Sequence, residues 1–185
     1  MVYDKGIFQY QYIVVEEFVR HLAYYRGLKS VSDSQGIKSM FWGQTINAHF
    51  RVAVLNWCKV FGSKKSNDVH WKKTPIEDVE RAKEQFAQKI YKHGINKKFL
   101  KGYRMEMIAF RDKVVAHHDL GEFPRIYGLD KALQIAYIYD DWVRDLLKPD
   151  CIEIVALRDR YERWRTVVES IGNLSIANNE NGLGV

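Results

Sequence analysis

Residues 40–61, MFWGQTINAHFRVAVLNWCKVF, carry apolar side chains around most of a helical circumference, within a helix expected over about 36–61. A helix of that kind belongs in the centre of a fold, with other elements packed around it. The segments on either side repeat their apolar residues at helical steps. Before it, over 8–27, Ile13, Val14, Phe18, Leu22 and Tyr25 recur every three or four residues. Gly62 stops the central helix, and the polar stretch GSKKSNDVHWKK, 62–73, reads as a loop. A third helix is expected to open on Thr74-Pro75-Ile76-Glu77, with Thr74 as N-cap, Pro75 in the first turn and Glu77 reaching back, and to end at His93-Gly94.

The fourth helix is expected over about 96–117, with Phe99, Tyr103, Met107, Phe110 and Val114 along one side. The loop HDLGEFPRIYG follows at 118–128. The fifth, about 129–147, carries Leu129, Leu133, Ala136, Tyr139, Trp142 and Leu146. Lys148-Pro149 breaks it, and Asp150 with Glu153 caps a sixth that runs to about Ile171. The fold class is therefore all-α, a bundle of about six helices. Residues 1–172 form one helical domain and 173–185 a flexible polar tail. Only 3 Pro and 12 Gly in 185 residues suit long helices better than many short strands.

The net charge of +6 is unevenly spread. Residues 59–104 hold 13 Lys and Arg against 5 Asp and Glu, a local balance of +8. Such a segment attracts phosphate backbones, with Lys64, Lys65, Lys72 and Lys73 in the loop as candidate RNA contacts, or it is a solvated face. No apolar run is long enough to span a membrane, and the N-terminus has acids inside its apolar run, unlike a signal peptide. Cys58 and Cys151 form no CxxC pattern, and no zinc spacing occurs. A reducing cytoplasm is the expected location, with Cys58 a buried small hydrophobe.

One helix end concentrates chemistry. Residues 110–119 read FRDKVVAHHD, which places Arg111, Asp112, His117, His118 and Asp119 together. Arg111 offers a planar fork of donors suited to phosphate. Histidine moves protons near neutral pH. An Arg and a His on one phosphodiester can cleave RNA without a metal: the His takes the ribose 2′-hydroxyl proton or protonates the leaving oxygen, and the Arg stabilises charge on the phosphate.

The run from Arg111 and Asp112 to His117 resembles the signature of the HEPN superfamily (higher eukaryotes and prokaryotes nucleotide-binding). That signature is an Arg, a polar residue that is often Asn, Asp or His, and a His after four to six intervening residues; here five intervene. The fuller string RDKVVAHHD is similar to the branch containing abortive-infection proteins of the U type, and His70-Trp71 fits that branch too. The resemblance implies an all-α bundle, usually a homodimer, needing no cofactor. In catalytic members, two copies of the motif face each other and form a metal-independent endoribonuclease, often a toxin or a phage-defence component with an antitoxin or other protein partner. It places Arg111, Asp112 and His117 in the catalytic positions, with His118, Asp119, His70 and Trp71 as supporting candidates. Other members are catalytically dead, so the alternative is a helical scaffold binding nucleotide, RNA or a protein.

Helix geometry bears on which histidine acts. At about 100° per residue, His117 stands about 240° around an α-helix from Arg111, whereas His118 stands almost above it. Either the helix unwinds near Ala116, or Arg111 and His117 come from two chains, or His118 is the working base. The family pattern favours His117. Plainer readings exist as well. Arg111 can pair with Asp140 or Asp141, the histidines can complement the helix dipole, and Asp119 can form a turn. A metal at His117, His118 and Asp119 lacks ligand spacing. The five tryptophans suit core and interface positions, Trp71 in its basic loop standing apart.

Overall fold

The structure, a computed structural model, describes residues 4–65, 67–74, 76–116, 128–147 and 155–180. It is all-helical, with no strand among those residues. The helices are α1 (Lys5–Ser34), α2 (Met40–Phe61), α3 (Val79–Lys92), α4 (Lys97–Phe110), α5 (Asp130–Leu146) and α6 (Leu157–Glu180). A short 3₁₀ turn (Trp71–Lys73) precedes α3, and a π turn (Arg111–Ala116) continues α4. No helix among the described residues is long and apolar enough to cross a membrane.

The first helix is longer than its periodicity predicts. Asp4 caps it by accepting from the amides of Gly6 (2.8 Å) and Ile7 (3.3 Å). Its buried face runs through Phe8, Tyr12, Val15, Phe18 and Leu22. Ile13, expected on that face, is 52% exposed. The helix is turned to bury Gln11 and Tyr12, whose polar ends have partners inside. Tyr12 Oη donates to Asp140 at 3.0 Å, and Gln11 links Tyr139 Oη (2.9 Å) to the carbonyl of His70 (3.2 Å).

Only the second half of α2 is the core helix expected. Ala53, Val54, Trp57, Cys58, Val60 and Phe61 are buried, while Met40 and Phe41 are 78% and 71% exposed. Trp57, Phe61, Phe86, Tyr139 and Trp142 form the bundle's aromatic centre, with ring centroids 5.0–6.5 Å apart. Edge and tilted arrangements dominate, as ring quadrupoles favour. α6 lies close along α1 because glycine marks both contacts. A Cβ on Gly27 would stand 3.2 Å from the carbonyl oxygen of Arg165, and one on Gly172 3.2 Å from Val31.

Two helix starts differ from expectation. The hydroxyl of Thr74 donates to the carbonyl of Trp71, closing the 3₁₀ turn, so Thr74 does not cap α3. Asp78 does, accepting from the amide of Arg81 at 3.2 Å, and the helix begins at Val79. Pro75 lies outside the described residues. The sixth helix begins at Leu157, not near Asp150; Val155 and Ala156 before it are not helical, and Asp150 and Glu153 lie outside the described residues. Its first amide, on Leu157, donates to Asp140 Oδ2 of α5 at 2.8 Å, so the cap comes from a residue 17 positions earlier. At its far end α6 continues helically to Glu180, through residues expected to belong to the tail.

Candidate functional site

Arg111 stands where α4 changes its winding. The buried side of α4, Tyr103 and Met107, holds the helix on α2: the Cys58 thiol lies 3.5 Å from the Met107 carbonyl, and Phe50 packs edge-on against Phe110 at 5.7 Å. Burial pushes the Cys58 thiol up to about 12, so it is no nucleophile; it is the buried hydrophobe expected. Cys151 lies outside the described residues. From Arg111 to Ala116 the backbone forms a π turn. Each N–H there reaches back five residues, so the chain winds less per residue than the 100° of an α-helix. The rotation that set His118 above Arg111 therefore does not hold across this segment. His117, His118 and Asp119 lie outside the described residues.

The guanidinium of Arg111 pairs with its neighbour. Nη2 is 2.6 Å and Nε 2.8 Å from Asp112 Oδ1. The Arg111 side chain is 20% exposed and that of Asp112 49%, so the pair sits at the surface with part of the fork open. Asp140, an alternative partner in the sequence, is 2% exposed and takes Arg144 instead, Nε to Oδ1 at 2.8 Å. Among the described residues no group of three or more His, Cys, Asp or Glu could hold a metal ion.

His70 and Trp71 have structural work. His70 is fully buried. Its Nε2 is 3.1 Å from the carbonyl oxygen of Gly62, and Nδ1 accepts from the amide of Lys72 at 3.1 Å. That pairing assigns a neutral ring with the proton on Nε2. Burial, with Lys72 and Arg104 nearby, lowers its pKa to about 4. The unfolded chain binds this proton near 6.5, so the neutral ring's contribution is complete above that pH and is lost as pH falls towards 4. We expect wild-type stability to drop by roughly 2–3 kcal/mol more than that of His70→Gln between pH 7 and pH 4. Urea titrations at the two pH values measure this, and equal drops would refute it.

Trp71 packs edge-on against Phe86 at 4.7 Å, and the ammonium of Lys72 lies 5.3 Å from its ring centroid. It anchors the basic loop to the core. Of the lysines singled out in sequence, Lys64 and Lys65 are exposed, Lys72 is half-buried, and Lys73 pairs with Asp68 at 2.8 Å. Among the described residues, Lys64, Lys65 and Lys72 form no ion pair.

Folding also assembles two groups that the sequence left scattered. His21 of α1 and His49 of α2 bring their Nδ1 atoms to 2.8 Å, with Glu17 3.3 Å from His21 Nε2. Desolvation lowers both pKa values, and the contact needs one ring to donate while the other accepts. The second group is a cleft of about 260 Å³ between the 3₁₀ turn, α3 and α4. Trp57, Phe61, Phe86 and Trp71 give it an apolar lining, and Lys72, Lys97, Lys101 and Arg104 bring four cations to it. No signal within one segment could have found it, because its walls come from five elements: α2, the 3₁₀ turn, α3, α4 and α5.

The fold and these sites define the chain as an all-α helical bundle with a basic middle segment. Comparison with protein-family models, with curated proteins and with solved structures finds no match.

Proposed function

We propose that this protein is a metal-independent endoribonuclease of the HEPN type, acting on single-stranded or loop RNA through Arg111, Asp112 and His117. One observation carries the reading. The helix leaves α geometry at Arg111, the first residue of the resembling motif, and single π turns inside α-helices occur frequently at functional sites. Asp112 holds the guanidinium in place with part of its fork open to a phosphate. In this reading His117 removes the 2′-hydroxyl proton. The 2′ oxygen then bonds to phosphorus, the bond to the 5′ oxygen breaks, and that oxygen leaves with a proton taken from water. Arg111 stabilises the charge on the phosphate oxygens. Lys64, Lys65 and Lys72 hold the strand. Lys73, neutralised by Asp68, contributes less.

The working form is a two-fold homodimer, favoured by Met40 and Phe41 on α2 and by Phe99 and Met105 on α4, all apolar and exposed. Its role is that of a toxin or phage-defence component held in check by an antitoxin or similar protein.

The test is incubation of the purified protein with end-labelled single-stranded RNA in EDTA. Light scattering on the same sample should give twice the 21.8 kDa chain mass. Products should end in a 2′,3′-cyclic phosphate or a 3′-phosphate, and a 2′-methoxy group at the cut site should block cleavage. Changing Lys64 and Lys65 to Gln should weaken RNA binding and steepen its loss with salt less than in wild type. If the protein cleaves no RNA, the reading fails and a non-catalytic scaffold that binds nucleotide, RNA or a protein takes its place.

A further inference from the structure

We infer that His21 and His49 form a pH-sensitive clasp, which holds the first half of α2 against α1 at neutral pH and releases it in acid. The clasp stands on the packing of α1 and α2 and holds whether or not Arg111 and His117 cleave RNA.

The first half of α2 needs such a tie. From Met40 to Val52 none of its side chains is buried, whereas Ala53, Val54 and Trp57 beyond them are. This half lies on α1 through partly covered residues, Phe50 against Tyr25 at 5.1 Å among them. Among the described residues the contact of His21 Nδ1 with His49 Nδ1, at 2.8 Å, is the only hydrogen bond between it and α1. Tyr24 meets both imidazoles edge-on, at 6.2 and 5.3 Å.

The protons these rings can hold make the tie a switch. A neutral imidazole has one N–H and one bare nitrogen, and a protonated one has N–H on both. The docked pair therefore carries no charge or one, since a single proton between the two Nδ1 atoms serves either case. A second charge would set two N–H groups against each other across 2.8 Å. The surrounding charges do not offset it. Glu17 of α1 lies 3.3 Å from His21 Nε2 but also pairs with Arg20. Arg20 puts a positive charge beside His21 and lies 5.8 Å from the Trp164 ring of α6. Over that ring, at 4.9 Å, stands Arg160, paired with Glu16. α2 has no acid between Met40 and Phe61, and its Arg51 is exposed.

Burial lowers both ring pKa values, with Arg20 adding to the effect at His21 and His21 adding to it at His49. Released rings take protons near 6.5, so docking is favoured above that pH and loses ground as pH falls below it. A shortfall of one proton changes the docking equilibrium by about tenfold per pH unit. Phe50, next to His49, packs on Phe110 at 5.7 Å, so release also reaches the residue before Arg111.

Hydrogen exchange of the full chain at pH 7.5 and pH 5, corrected for the intrinsic exchange rate, reads the clasp. Amides of 44–50 should lose about tenfold or more of their protection relative to those of 133–143 in α5. The α5 reference removes the global loss that His70 brings over the same range. In the double variant His21→Gln/His49→Gln, where neither position can charge, this ratio should stay level between the two pH values. His93→Gln, at an exposed histidine, should behave as wild type. Should the double variant not fold, nuclear magnetic resonance of the wild-type rings carries the test. His21 and His49 should then titrate in two separate steps, the second coinciding with the loss of protection at 44–50. A level ratio in wild type, an equal change in the double variant, or simultaneous titration of both rings near 6.5 would overturn the inference.

Discussion

If the proposed activity holds, Arg111→Ala and His117→Ala should each lower RNA cleavage by about 10²-fold or more, while the protein still folds and keeps its helical circular dichroism. That is the usual loss for a positioned acid–base group or a donor at developing phosphate charge. The structure says why folding should survive the first change. Among the described residues Arg111 bonds only to Asp112, which is about half exposed, and such a pair is worth about 0.2–1 kcal/mol. Asp112→Asn should cost less activity than either change, because an amide oxygen can still accept from the guanidinium. His118→Ala decides between the two histidines. The motif assigns the work to His117, and the argument for His118 assumed α-helical winding that the π turn at 111–116 does not have. His118→Ala should therefore retain most activity. If it abolishes cleavage and His117→Ala does not, the assignment reverses. Full activity in Arg111→Ala would remove this site from the chemistry altogether.

The helices were legible in the sequence because most of them are amphipathic and their periodicity is local. α5 falls within one residue of its expected bounds, since Leu133, Ala136, Tyr139 and Trp142 all turn one face to the core. What was not legible depends on partners distant in the chain. Hydropathy favours burying Ile13, yet Tyr12 goes inside because Asp140 waits for its hydroxyl. Thr74 and Glu77 have the pattern of a capping box, but closing the 3₁₀ turn takes the Thr74 hydroxyl. The start of α6 was missed for a similar reason, its first amide being met from α5. Met40 and Phe41 continue an apolar run that sequence reads as core, whereas they project into solvent. The candidate site divides along the same line. That Arg111 and Asp112 share one helix end could be read directly, but their pairing could not, because neighbours on an α-helix do not face each other. The meeting of His21 with His49, and of Trp57 with Trp71 and Arg104, exists only once the helices have packed.

Asp140→Ala should be among the most destabilising single changes in the protein, at about 3–5 kcal/mol, the range for stripping one partner from a buried ion pair. Asp140 is 2% exposed and accepts from three elements at once. Arg144 Nε donates at 2.8 Å, Tyr12 Oη at 3.0 Å and the Leu157 amide at 2.8 Å. Removing the carboxylate takes the acceptor from Arg144 Nε and leaves the first amide of α6 without its cap. A domain whose total stability is about 5–15 kcal/mol cannot absorb that without a visible shift. Asp140→Asn keeps the shape and one acceptor oxygen, so it should cost less, and Tyr12→Phe, which leaves the ion pair intact, should cost about 1 kcal/mol. The order Asp140→Ala, Asp140→Asn, Tyr12→Phe is the test, read as rising urea midpoints, all below wild type, at constant slope. Because Asp140 and Arg144 share one network, Arg144→Met in the Asp140→Ala background should cost less than in wild type, giving a coupling of about 1 kcal/mol or more. A midpoint for Asp140→Ala close to that of wild type would mean that this network does not hold α1, α5 and the start of α6 together.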